Sequence, residues 1–402
     1  MAQEEMMGAA SDPGSNSSKT IVADRPPDQL DIIAETEATP LDPEESRLNK
    51  YKEPFVRYGQ KLFSLRLNTF LERRMPVLKN EDVEDVHKMR VASRRLRATL
   101  DAYQAIAKRT PFKKAYRQVK ESADLLGVVR DADVMKLHLE ELLSQVPTDE
   151  QAGVQWFINR LGLYREQRQR ELEPFFRDFD ERTLKKAVTE CLPKKGRLPT
   201  KTSSSARLDP QGPTGQNARL IARTKLDELS RWSEYADTPY AVKELHHLRI
   251  AAKRLRYTLE IFEDTLPATC TSVVKEVTEL QDELGLLHDS DVFIALLRLC
   301  LSCQENPAYT RILSRAHNTG GALLRADLVA TLLDSTTIPT ALERYGLERL
   351  LQVQEKVREI RYHAFLAHWS RLQEQDFHRH LLDLLSNELA DPADEEASKA
   401  DS

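Results

Sequence analysis

Two copies of a basic motif carry the residues of this chain that could do chemistry. The first copy spans Asp85–Tyr103 and reads DVHKMRVASRRLRATLDAY, and the second spans Glu244–Phe262 and reads ELHHLRIAAKRLRYTLEIF. Both follow the pattern His-x-x-Arg-x-x-x-Arg/Lys-Arg-Leu-Arg. Arginine is well suited to anions because its planar guanidinium donates two parallel hydrogen bonds to phosphate or carboxylate oxygens. The motif therefore predicts a site for a polyanion.

The spacing of the motif places its cations on one face of an α-helix. Steps of three, four and three residues keep them within an arc of about 80° on a helical wheel. Apolar residues such as Val86 and Leu96 occupy a neighbouring arc that can pack on the protein interior. We call the two cationic faces the basic stripes; they comprise His87, Arg90, Arg94 and Arg97 in the first copy and His246, Arg249, Lys253 and Arg256 in the second.

Charge repulsion along each stripe favours a bound anion. The repulsion between neighbouring cations on a helix costs roughly a few tenths of a kcal/mol for each exposed pair. Between the histidine and the last arginine of the pattern, no acid stands three or four residues from a stripe cation, so we expect no local acid to relieve this repulsion. A single run of charges is ordinarily a solvated helix face, but the same residue types recur at the same steps in both halves, which favours binding.

The histidines begin each stripe. His87 and His246 stand near the helix N-terminus, where the helix dipole disfavours protonation of the imidazole. A neutral histidine there can donate an N–H group to phosphate. The alternative is a structural hydrogen bond to a carboxylate or a backbone oxygen.

A second repeated element follows each motif. Residues 119–134 read VKESADLLGVVRDADV and residues 277–292 read VTELQDELGLLHDSDV. We interpret Gly127 and Gly285 as the ends of helices, and Asp131 and Asp289 as N-caps of the helices that follow. The acids of this element could also pair with nearby arginines and hold them in place.

His288 in this element allows a different interpretation. Together with His246 and Asp289 it resembles the paired histidines and carboxylates that hold divalent metal in phosphohydrolases. The equivalent residue of the first half is Arg130, which cannot ligate a metal. The repeat therefore favours a chain without a metal site, a cofactor or catalysis.

Further basic residues recur less regularly between the halves. Arg117 corresponds to Lys275, whereas Lys120 corresponds to a threonine. A third match pairs the run REQRQR at 165–170 with REIRYH at 358–363. We include as additional candidates for anion binding Arg117, Lys120, Lys275, Arg165, Arg168, Arg358 and Arg361.

The repeats also define the elements that must position these residues. The motif copies lie 159 residues apart and the third match 193 residues apart, so the second half holds about 35 extra residues. Glycine is scarce, at 13 residues, and aromatic residues are 6% of the chain, which is typical of helices. We predict an all-α protein of two pseudo-symmetric antiparallel helical bundles that arose by internal duplication.

Composition predicts five segments and their charges. Residues 1–50 hold eleven acids and four bases, and residues 386–402 hold six acids and one base, which leaves a charge of +7 on residues 51–385. We predict a disordered acidic extension at 1–46, a first half at 47–192, a linker at 193–217 without regular structure, a second half at 218–386 with a helical insertion near 302–340, and a disordered acidic tail at 387–402.

The cysteines and the hydropathy indicate a reducing, cytoplasmic setting. No signal peptide or long apolar run is present in the sequence, so we expect no membrane partner. Cys300 and Cys303 form a C-x-x-C pair within a helical pattern, without a second pair to complete a zinc site. We expect them to be buried helix residues.

In both repeated elements the sequence resembles the CHAD family, the conserved-histidine α-helical domains. The resemblance covers roughly residues 47–385. It implies two helical bundles around a basic central channel, with inorganic polyphosphate as the ligand. It also implies a non-catalytic adaptor that can associate with polyphosphate granules. A nucleic-acid-binding helical protein is the main alternative, because arginine helices also follow phosphate backbones, and a metal-dependent phosphohydrolase is a weaker one.

Overall fold

The computed structural model describes residues 43–193, 208–302, 324–332 and 338–386. The predicted acidic tail, nearly all of the predicted N-terminal extension, the middle of the linker, most of the insertion and Cys303 lie outside these residues. Within the described ranges the chain is helical and contains no β-strand, so the all-α prediction is confirmed. None of the described helices is long and apolar enough to cross a membrane.

Within each described range the helices follow one another with short connections, several of which are turns of 3-10 helix. We number the α-helices in chain order as α1 (Pro43–Lys52), α2 (Phe55–Glu72), α3 (Arg74–Lys79), α4 (Val83–Tyr103), α5 (Arg109–Leu143), α6 (Gln151–Arg177), α7 (Glu181–Cys191), α8 (Thr214–Ser230), α9 (Val242–Ile261), α10 (Cys270–Ser302), α11 (Ala326–Leu332), α12 (Ala341–Glu374) and α13 (Phe377–Ser386).

The packing order of the first half recurs in the second. Helix α2 packs on α4, α4 on α5, and α5 on α6, while α8 packs on α9, α9 on α10, and α10 on α12. The halves meet where α4 contacts α9 and where α6 contacts α12. Helix α11, in the predicted insertion, packs on α6 of the other half.

Equivalent residues of the two halves contact one another, as expected around a two-fold axis. Pro54 and its equivalent Pro213 form an antiparallel bridge. The flanking residues reciprocate, since Phe55 N–H donates to Gly212 O at 3.0 Å and Thr214 N–H donates to Glu53 O at 2.9 Å.

Two further equivalent pairs meet in the same way. The rings of Tyr103 and Phe262 lie 6.2 Å apart between centroids. On α6 and α12, Gly153 and Gly346 are in backbone contact, because a Cβ built on Gly153 would lie 2.4 Å from the nitrogen of Leu347. The contact between the basic helices α4 and α9 likewise joins equivalent elements of the two halves.

Two apolar clusters hold the fold together. The larger one joins α2, α4, α8 and α9 with the N-terminal parts of α5 and α10, and its centre is a group of buried rings that includes Phe55, Tyr103 and Phe262. The smaller one joins α6, α11 and α12 with the C-terminal parts of α5 and α10 around Phe157 and Phe293. Cys300 is buried in this second cluster, as predicted.

Two predicted boundaries are corrected by the structure. Helix α1 begins at Pro43, inside the segment that we expected to be disordered. The end of the predicted linker is ordered as well, because Asn217 accepts from Asp209 N–H and donates to Asp209 O, both at 2.9 Å, and α8 begins at Thr214. Proline and glycine in this stretch form a turn that pairs with the start of α2, which composition alone does not reveal.

The interpretation of the second repeated element as a helix break is wrong. Helices α5 and α10 run uninterrupted through Gly127 and Gly285, and Asp131 and Asp289 lie inside them rather than at N-caps. Glycine costs a helix only about 1 kcal/mol relative to alanine. The apolar contacts along these long helices offset that cost.

Candidate anion-binding site

The basic stripes lie on α4 and α9, and local sequence explains how each helix is oriented. Asp82 caps α4 by accepting a hydrogen bond from Glu84 N–H at 2.9 Å. The apolar arc of each helix is buried, including Leu96 and Leu255, neither of which is exposed at all. All eight stripe residues are therefore half-buried beside that core rather than extended into solvent.

The two stripes face each other where the halves meet. Lys253 lies among the arginines of both helices, and burial together with Arg94 and Arg249 lowers the pKa of its ammonium to about 6. Arg94 is the equivalent of Lys253 in the first half. Equivalent basic residues of the two halves therefore lie close together.

Tyr257 lies between two stripe arginines and was not predicted from the sequence. Arg94 donates a hydrogen bond to the Tyr257 hydroxyl group. The guanidinium carbons of Arg94 and Arg256 lie 5.4 and 5.6 Å from the centroid of the Tyr257 ring. Its equivalent in the first half is Ala98, so the repeat gives no signal for it.

Arg90 and Arg249 rest against the long neighbouring helices. A Cβ built on Gly127 would lie 3.8 Å from Arg90 Nε, and one built on Gly285 would lie 3.9 Å from Arg249 Nε. Arg90 also donates to Asp131 at 3.1 Å. The repeated glycine and aspartate thus mark where the arginines cross α5 and α10.

Acids only partly offset the positive charge of these arginines. Burial lowers the pKa of Arg90 and of Arg249, while Asp131 and Asp289 act in the opposite direction. Arg94 lowers both pKa values further. Both guanidinium groups remain cationic at neutral pH, so an anion between the stripes would be stabilised.

The histidine end of the second stripe differs from the first. His246 Nδ1 lies 3.2 Å from His288 Nδ1, and burial with Arg249 nearby lowers the pKa of His288 to about 3. In the first half Arg130 occupies the place of His288 and pairs with Glu84 at 3.4 Å. The residue equivalent to Glu84 is Lys243, so both members of that ion pair have changed together.

The other end of each stripe has local acids, contrary to our expectation. Arg256 pairs with Glu260 at 2.7 Å, one helical turn beyond the motif, and lies 3.9 Å from Asp282. At the equivalent place in the first half, Arg97 lowers the pKa of Asp101, although burial of the Asp101 carboxyl raises it more. Glu260 and Asp101 both stand four residues after the last arginine of the pattern His-x-x-Arg-x-x-x-Arg/Lys-Arg-Leu-Arg, so a search for acids within that pattern does not find them.

Two of the additional candidates form equivalent ion pairs away from solvent. Arg165 Nε lies 3.0 Å from Asp133 Oδ1, and Arg358 Nε lies 2.9 Å from Asp291 Oδ1. Arg358 is only 6% exposed. These pairs fasten α6 to α5 and α12 to α10, so both arginines are best explained as scaffold, which agrees with the expected pairing of the element's acids.

Arg168 and Arg361 are equivalent in sequence but have different surroundings. Arg168 pairs with Glu171 at 2.9 Å and with Asp327 of α11 at 3.2 Å. Arg361 donates to Ser290 Oγ at 2.7 Å, and its charge opposes the rise in the pKa of Asp289 that burial causes. Arg361 is thereby placed beside the acid that also acts on Arg249, and its role in anion binding stays a prediction.

The remaining candidates lie on exposed helix faces. Each pairs with an acid one turn along its own helix: Arg117 with Glu121 at 3.9 Å, Lys120 with Asp124 at 3.4 Å, and Lys275 with Glu279 at 3.8 Å. Such exposed pairs contribute about 0–1 kcal/mol. Among the contacts of the described residues, none that we identify joins these three cations to the stripes, so their role in binding stays a prediction.

The fold and the site together define an all-helical protein that presents two repeated basic helices to one another. The sequence profile of the CHAD domain matches residues 61–298, and the chain belongs to this family. No curated protein matches the chain.

Solved structures resemble the protein at low sequence identity. PptA from Streptomyces chartreusis is 14% identical, with a TM-score of 0.51 over 79% of this chain and 99% of that one, and it shares the fold. The crystal structure of the CHAD domain from the plant Ricinus communis is 20% identical, with a TM-score of 0.47 over 72% of this chain and 95% of that one.

Proposed function

We propose that the protein binds inorganic polyphosphate between the two basic stripes, without catalysis, and serves as an adaptor at polyphosphate granules. Polyphosphate binding is a general property of the CHAD family. A linear phosphate chain carries a negative charge on every unit, so it can satisfy successive arginines along both helices at once. Each charge-assisted hydrogen bond contributes about 1.5–3 kcal/mol.

The observation that supports this proposal most strongly is the position of Lys253. Its side chain lies among Arg90, Arg94, Arg97 and Arg249 from both halves, and burial together with that positive field lowers its pKa. Keeping Lys253 protonated among these arginines costs free energy in the absence of a counter-ion, so the free protein loses that proton above a pH of about 6. A polyanion in the same place reverses the sign of that interaction.

Binding of long-chain polyphosphate and of triphosphate to the full chain tests the proposal. The site variant is Arg94→Glu with Lys253→Glu, and the matched control is Lys186→Glu with Lys356→Glu, which changes the net charge equally on exposed faces of α7 and α12. We expect affinity to fall at least about a hundredfold in the site variant, because two charge-assisted contacts are lost, and by less than about threefold in the control. Equal losses in the two variants would rule out a defined site between the stripes.

Two measurements distinguish the alternatives. The first is a competition between polyphosphate and single-stranded RNA for the protein at one fixed salt concentration. The binding of both polyanions depends on salt, but only RNA offers bases for stacking. We expect polyphosphate to displace RNA. Orthophosphate release from polyphosphate with Mg²⁺ or Mn²⁺ tests for a phosphohydrolase; release that His288→Ala abolishes would replace the adaptor proposal with an enzyme.

A further inference from the structure

A buried histidine between α10 and α12 has a carboxylate on each of its ring nitrogens. His368 Nδ1 lies 2.8 Å from Glu283 Oε2, and His368 Nε2 lies 3.2 Å from Glu276 Oε2. The side chain of His368 is only 5% exposed. None of these residues belongs to the basic stripes or to their acidic partners described above.

The proton count of this arrangement leaves one contact unexplained. A neutral imidazole has one N–H group, so it can donate to one carboxylate while its other nitrogen presents a lone pair. A lone pair that faces a carboxylate oxygen at about 3 Å is repulsive. The second contact therefore needs either a second proton, carried by the ring or by the carboxyl group, or a metal cation between the nitrogen and the acid.

The surrounding residues form the ligand set of a metal ion. Glu276, Glu279 and His368 can each direct one ligand atom so that the three atoms lie within 4.8 Å of one another. The two glutamates are one helical turn apart on α10 and are partly or fully exposed, which leaves a path from solvent, while the histidine closes the buried side. One nitrogen and two carboxylate ligands suit Zn²⁺ and similar divalent ions.

Glu283 completes the arrangement from the opposite side of the ring. Metal-bound histidines commonly donate their other N–H group to a carboxylate, which fixes the tautomer and turns the free lone pair toward the metal. The contact between Glu283 and His368 Nδ1 has this geometry. It directs Nε2 toward Glu276, which is where an ion would lie.

We propose that Glu276, Glu279 and His368 bind one divalent metal ion of the Zn²⁺ class, with Glu283 as the positioning residue for the imidazole. The ion would fasten α10 to α12 within the second half. The first half has no such site, because the residues equivalent to Glu276 and His368 are Gln118 and Phe175. The site is therefore a feature of one half only and does not depend on polyphosphate binding.

Zn²⁺ titration of the metal-stripped full chain by calorimetry tests the proposal. The first variant is Glu279→Gln, which removes a ligand at the surface and leaves both contacts of His368 intact. The control is His363→Gln, an exposed histidine on the same helix. We expect one Zn²⁺ per chain, at least about tenfold weaker binding in Glu279→Gln, and unchanged binding in the control.

Two further variants complete the test. His368→Gln should abolish the site, and His288→Ala should retain it, which separates it from the His246–His288 pair. Equal Zn²⁺ affinity in the wild type and Glu279→Gln, or a loss confined to His288→Ala, would overturn the proposal. Polyphosphate affinity should be the same in Glu279→Gln and the wild type, so failure of the metal site leaves the proposed function unaffected.

Discussion

Gly153 on α6 and Gly346 on α12 are equivalent residues of the two halves, and their backbones touch. A Cβ built on Gly346 would lie 2.3 Å from the carbonyl oxygen of Glu150, a backbone atom that no side-chain rotation can move. The helices therefore cannot admit a side chain at this crossing without moving apart.

Gly346→Ala should destabilise the protein by about 2–3 kcal/mol, because the helices must separate to admit a methyl group. Urea denaturation measures the change in the free energy of unfolding. Gly162→Ala on α6 is the matched control, since a Cβ there has no atom within 4 Å, and alanine should stabilise the helix by up to about 1 kcal/mol. Equal stability of the two variants would mean that the helices do not cross at Gly346.

Lys253 should make stability depend on pH. Its pKa is about 6 in the folded protein, below the value of 10.5 that it has when exposed. Between these values the unfolded chain binds a proton that the folded chain lacks, so this residue's contribution to the free energy of unfolding rises with pH from about 6 to 10.5 and falls as the pH drops through that range.

Lys253→Met removes this contribution. We expect the variant to be more stable than the wild type by about 1–3 kcal/mol at pH 7, with a difference that shrinks toward pH 10. Denaturation curves at pH 6, 7, 8.5 and 10 give the comparison. If the difference in the free energy of unfolding between the variant and the wild type stayed constant across this range, the Lys253 ammonium would be exposed to solvent and its pKa would not be lowered.

Arg358 should affect stability, whereas Arg361 should affect binding. Arg358→Ala leaves the carboxyl of Asp291, which is 9% exposed, without its ion pair and should cost about 3–5 kcal/mol. Arg361→Ala should change stability by less than about 1 kcal/mol and weaken polyphosphate binding. Denaturation and binding are measured on both variants. If Arg358→Ala kept its stability but lost affinity for polyphosphate, Arg358 would be a ligand contact and not a structural residue.

The second half has His288 and Lys243 where the first half has the ion pair of Arg130 with Glu84. Two substitutions can introduce such a pair into the second half. His288→Arg alone adds a cation near Arg249 and Lys243, so we expect it to lower stability and to tighten polyphosphate binding. Adding Lys243→Glu should restore an ion pair like that of Arg130 with Glu84 and recover about 0.5–1 kcal/mol relative to additivity. A double-mutant cycle measures this coupling; strictly additive effects would show that the two positions do not meet.

Much of the fold could be predicted because its signals are periodic. The alternation of apolar and basic residues at helical spacing fixes which face of α4 and α9 is buried, and the repeat gives the order of the helices. Regularity also misled the prediction of helix ends at Gly127 and Gly285. A glycine signals a helix end only when packing does not continue the helix, and packing is not visible in one sequence.

The parts of the site that escaped prediction lack a counterpart in the other half. Tyr257 aligns with Ala98, so nothing in the repeat singles it out, although it contacts two stripe arginines. The buried ion pairs escaped for a different reason. Arg358 and Asp291 lie far apart in sequence, and their distance depends on how α12 packs on α10, so a basic residue looked like a ligand contact until its partner was located.

One set of contacts between the halves affects when the chain can fold during its synthesis. These are the reciprocal hydrogen bonds that link Glu53 with Thr214 and Phe55 with Gly212. They join residues about 160 positions apart, and the aromatic core that adjoins them needs Phe262 as well as Tyr103. A growing chain therefore exposes Phe55 and its neighbours until the second basic helix has been synthesised. Folding should be slow to begin for its size and then complete both halves together, because contacts of such long sequence separation form late.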